Sequence, residues 1–67
     1  MNERVFIVKG IARHFTGDCE IEIVGVRREE RDARALGAEW VKDQTERFKE
    51  EGRNIHASYQ LVARILK

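Results

Sequence analysis

The stretch HFTGDCEIEIVGV, His14–Val26, decides how this chain folds. Its second part, Cys19–Val26, begins with strict alternation of apolar and acidic residues, the pattern of a half-buried strand. Just before it, Thr16-Gly17-Asp18 is a turn signal. Upstream, Val5–Arg13 (VFIVKGIAR) is rich in the β-branched and aromatic residues that strands favour. The three pieces read as a β-hairpin. A tight turn centred on Thr16-Gly17 sets its register, so that Arg13 faces Glu20, Ala12 faces Ile21 and Gly10 faces Ile23. One face then carries Phe6, Val8, Gly10, Ala12, Cys19, Ile21 and Ile23 without a charge, and is the expected core face. Arg13 and Glu20 form an opposite-charge cross-strand pair in this register.

Downstream, Arg28–Glu51 repeats with a helical period. Ala33, Leu36, Gly37, Trp40, Val41, Gln44 and Phe48 fall on one side. Gly52 stands where a left-handed cap ends a helix. Gly37 costs helix stability, about 1 kcal/mol against alanine, and close approach of the helix to the sheet near Gly10 is the expected return. In Ile55–Leu66, both helical and strand spacings fit. Strand explains more positions, because Ile55, Ala57, Tyr59, Leu61, Ala63 and Ile65 alternate with mostly polar residues. The expected fold is α+β: a single ββαβ domain over residues 1–67. Its antiparallel sheet has strand order 2-1-3, and one long helix packs on one face.

A chain of 67 residues buries only about 60% of the surface exposed by its unfolded form, so the core is marginal. Such folds lean on a disulfide, a metal or a partner. Cys19 is the only cysteine, which excludes a disulfide within the chain. One cysteine and two separated histidines lack zinc-ligand spacing, so no metal and no cofactor is expected. A partner remains, either another protein or a second copy in a homodimer. The net charge of +1, from thirteen basic and twelve acidic residues, argues against a dedicated nucleic-acid binder. No apolar run approaches a membrane span or a signal-peptide core. A cytoplasmic protein with no membrane partner is expected, and the lone cysteine fits a reducing compartment.

The helix charges separate into stripes. Arg27, Arg31, Arg34, Lys42 and Lys49 flank the apolar side, while Asp32, Glu39, Asp43, Glu46 and Glu50 face away from the sheet. Glu30–Arg34 and Asp43–Arg47 stand four apart, and Glu39–Lys42 and Glu46–Lys49 three apart, as helix ion pairs do. The bland reading is a solvated, internally paired surface. The functional one makes Arg27, Arg31 and Arg34 a secondary basic contact for an acidic partner or a phosphate. His14 faces Cys19 in the expected register, an arrangement that can activate a thiol. Yet Cys19 continues the core face, and no oxyanion motif, phosphate loop or nucleophile elbow is present. No enzyme is expected.

The sheet's second face carries more information. It holds Val5, Ile7, Ile11, Val24 and Val26 from the hairpin, and Val62 and Leu66 from the last strand, with Arg64 at the rim. One helix cannot cover both faces of a sheet, and an apolar patch with a polar rim marks an interaction site. These eight residues are the expected partner-binding surface of a non-catalytic protein-interaction module.

The order of elements, with CEIEIVGV, ALGAEW and LVARILK, resembles small phage-encoded ββαβ proteins that inhibit bacterial RNA polymerase. The resemblance covers most of the chain as a pattern of residue types. It implies a phage-type accessory or inhibitor role, with last-strand arginines on the partner. Arg64 matches one such position, while Leu66 stands where a second arginine is expected. The chain's helix is also longer. The alternative family is the small ribosome-associated RNA-binding proteins of similar plan, which would use the arginine stripe.

Overall fold

The computed structural model describes residues 3–66. β1 (Glu3–His14) and β2 (Cys19–Arg27) form the hairpin, α1 (Glu30–Glu50) follows, and β3 (Ile55–Leu66) returns along the other side of β1. The sheet is antiparallel with order β2-β1-β3. The α+β ββαβ arrangement expected from the sequence is thus the observed one. The helix begins at Glu30, two residues later than its periodicity indicates.

The hairpin register differs from the expected one. The Gly17 amide donates to the His14 carbonyl at 2.9 Å, and the His14 amide donates to the Asp18 carbonyl at 2.8 Å. The loop is therefore Phe15-Thr16-Gly17, three residues rather than two. Gly17 takes φ 98°, the left-handed conformation such loops require at their last position. The extra loop residue slips the near half of β2 by one, so that Arg13 pairs with Cys19, Ala12 with Glu20 and Ile11 with Ile21. A one-residue slip turns every side chain to the other face. Cys19, Ile21 and Ile23 consequently leave the helix side, and Ile21 and Ile23 are 64% and 59% exposed. The Arg13–Glu20 and His14–Cys19 pairings do not form.

A β-bulge then restores the expected register. Lys9 pairs with Ile23 but Val8 with Gly25, which leaves Val24 as the surplus residue. Beyond it, Ile7 pairs with Val26 and Phe6 with Arg27.

The core is thin. Val8, Ala12, Ala33, Ala57 and Val5 are its buried apolar residues. Ala33 and Gly37 are the buried positions of the helix, while Leu36, Trp40, Val41, Gln44 and Phe48 are half-buried on the same side. Three glycines let the layers close up. The Trp40 ring lies where a Cβ on Gly10 would stand, the Tyr59 ring does the same at Gly37, and Leu36 fills the space beside Gly25. Gly10 and Tyr59 are cross-strand partners, so the two rings sit side by side between helix and sheet.

Gly52 ends the helix at φ 70°, its amide donating to Lys49 and that of Arg53 to Phe48, which satisfies the last carbonyls. Twenty-one helical residues span about 31 Å, against about 40 Å for a twelve-residue strand. Ile65, though on the helix side, is accordingly 63% exposed.

Candidate interaction surface

The helix-free face is built from the odd-numbered residues of β1 and their partners. Across the three strands, Val26, Ile7 and Val62 form one row. Ile23, Lys9 and Gln60 form the next, Ile21, Ile11 and Ser58 another, and Cys19, Arg13 and His56 the last before the turn. At the opposite end Val5 pairs with Arg64 and Glu3 with Leu66.

Most of the residues expected on this face from the sequence are there. Ile7, Ile11 and Val62 are half-buried, Val26 and Leu66 are 48% and 50% exposed, and Arg64 is exposed. Val5 also lies in this row but is buried at 8% exposure, so it supports the face rather than presenting it. Val24 drops out of the row, because the bulge leaves it without a cross-strand partner. In its place the slipped register adds Ile21 and Ile23, the most exposed apolar residues of the face. Sequence reasoning placed these two in the core. The signal for their true position was the run Phe15-Thr16-Gly17, with glycine in the third loop position, together with Gly25 interrupting the alternation as bulges do.

Glu20 and Glu22 share the helix side with Ala12 and Gly10. Both are exposed, so their carboxylates stay hydrated on an edge strand. Glu20 meets His14 at 3.8 Å. The outer edges of β2 and β3 have no strand partner among the described residues.

The arginines at the start of the helix are engaged within the chain. Arg34 donates to Glu30 at 2.9 Å, and this hydrogen bond and charge raise its already high pKa further. Arg31 lies 3.4 Å from Glu29, and Arg28 lies 3.8 Å from Glu3. Arg27 turns back to the carbonyl of Val26 at 2.8 Å. Among the described residues, the Asp43–Arg47, Glu39–Lys42 and Glu46–Lys49 spacings do not close into ion pairs.

Cys19 is exposed, its thiol 4.0 Å from the Gly17 carbonyl. A groove of about 380 Å³ at the turn end is lined by Arg13, His14, Phe15, Gly17, Asn54 and His56. It sets no nucleophile beside a base. Among the described residues, no group of three or more His, Cys, Asp or Glu is placed to hold a metal ion, and no helix is long and apolar enough to cross a membrane.

Comparison with family models, with curated proteins and with solved structures gave no match.

Proposed function

We propose that this chain is a non-catalytic protein-interaction module that binds through the helix-free face of its sheet. One observation carries the reading. Ile21, Ile23, Val26 and Leu66 stand between 48% and 64% exposed on one face, joined by the half-buried Ile7, Ile11 and Val62. Contiguous apolar surface with a polar rim is favoured at protein contacts and costly in water. Lys9, Arg13 and Arg64 supply polar positions on that face. The resemblance to phage-encoded inhibitors points the same way, since Arg64 lies on this face beside the Val5–Leu66 end.

Photo-crosslinking in cells tests the reading. A photoreactive residue at Ile23 gives a protein adduct, and the same residue at Glu46, on the exposed side of the helix, does not. No adduct at position 23, or equal yields from both positions, overturns the reading.

A further inference from the structure

We infer that the occupant of the helix-free face is a second copy of this chain, lying antiparallel to the first. This rests on the interaction reading above and names its partner. The exposed area fits a missing partner. The chain exposes 5325 Å², whereas a compact monomer of its mass exposes about 4400 Å². The excess is close to the roughly 800 Å² that each partner buries in a standard interface. Shape agrees with area. The radius of gyration is 13.6 Å, against about 11 Å for a compact chain of this length and about 14 Å for one twice as long. The molecule is a slab of 48 × 20 × 11 Å.

Charge along β1 sets the direction of the second copy. Within the three strands, Glu3 is the one acid on the helix-free face; it lies at one end, 3.8 Å from Arg28 and one row from Arg64, and an arginine of a second copy would share its carboxylate with Arg28. Arg13, with His56 beside it, lies at the other. Ten residues of strand separate Glu3 from Arg13, about 33 Å. Val8 is their midpoint. A second copy related by a two-fold axis across the strands at Val8 brings Glu3 of each chain to Arg13 of the other. The same operation sets Ile7 against the second copy's Lys9, and Ile11 over the row of its buried Val5. Lys9 then lays its alkyl stem on the apolar row while its ammonium reaches the rim, as long cationic side chains do. A two-fold contact of this kind is self-complementary and closes at two chains.

Sedimentation equilibrium from micromolar to millimolar protein, with circular dichroism to confirm folding, tests the arrangement. The expected result is a reversible dimer. Glu3→Arg and Arg13→Glu each weaken it by roughly tenfold or more, because each sets like charges together, and the double reversal restores it. Ile23→Lys, at a site already 59% exposed in the single chain, abolishes it without unfolding the protomer. A dimer indifferent to the single reversals, or not restored by the double one, overturns the antiparallel copy. A monomer throughout the range overturns the second copy itself. If the crosslinker at position 23 then still captures another protein, the interaction reading stands alone. If it captures nothing, both fall.

Discussion

Gly37 lies against the ring of Tyr59 so closely that a Cβ there would stand 2.6 Å from the ring's Cγ. A mid-helix glycine is ordinarily a weakness, and alanine is ordinarily its cure. Here the missing side chain is what lets helix and sheet meet. Trp40, one turn further on, uses the absent side chain of Gly10 in the same way.

Gly37→Ala therefore destabilises the protein, in spite of alanine's better helix propensity. The expected net loss is about 1–3 kcal/mol, as for overpacked cores. Urea unfolding reads it as a lower midpoint at unchanged slope. Adding Tyr59→Leu to the alanine variant makes room and returns part of the loss. A midpoint that rises on Gly37→Ala contradicts the packing described here.

The turn carries a second prediction. Gly17 has open space around it, so a methyl group there meets nothing, and only the backbone conformation objects. Gly17→Ala should cost about 1–2 kcal/mol, the penalty of left-handed backbone for an ordinary residue. Gly52→Ala should cost a similar amount at the helix end, for the same reason. Thermal unfolding of both variants checks the pair.

Cys19 distinguishes the two hairpin registers directly. In the observed register it faces solvent beside Arg13. A thiol reagent should modify it fully in native buffer, without denaturant. Protection that persists until the chain unfolds, at protein concentrations too low for a second copy to bind, is what the core-face register requires, and would contradict the three-residue loop.

The arginines at the head of the helix should matter little to folding. Arg31 and Arg34 are exposed and paired with exposed acids. Replacing both with glutamine should leave the thermal midpoint close to that of the parent at physiological salt, since exposed ion pairs contribute little. The same variant should crosslink from position 23 as well as the parent does. Loss of that crosslink would move the contact surface to the helix stripe.

Much of this was legible in the sequence, and what was not lies in two irregularities of β2, its loop and its bulge. The helix stripe from Ala33 to Phe48 and the strand in Ile55–Leu66 follow from periodicity, which averages over many residues, and the cap follows from Gly52 just past the stripe. The register of β2 does not average. It hangs on whether one glycine ends a two-residue or a three-residue loop, and an error there inverts the whole alternation. For that reason the tight-turn register turns Cys19, Ile21 and Ile23 inward. Alternation marks two faces but does not say which is wet. The apolar surface of the helix-free face is legible through Ile7, Ile11, Val26, Val62 and Leu66, whereas its two most exposed isoleucines depend on the loop. The bulge, which the alternation does not mark, takes Val24 out of that face.

The loop of Phe15-Thr16-Gly17 and the bulge at Val24 have a joint consequence. The loop takes up one residue more than a tight turn, and the bulge holds one residue that β1 does not match. The two irregularities cancel, so everything beyond Gly25 keeps the parity it would have had with neither. Between them, Cys19–Ile23 is a five-residue segment with inverted parity in an otherwise regular strand. Which side of the sheet is greasy along that segment is set by where a single spare residue is stored. Deleting Val24 would remove the spare and carry the three-residue-loop register unbroken into Gly25. Ile21 and Ile23 would then be held outward by the count of residues alone.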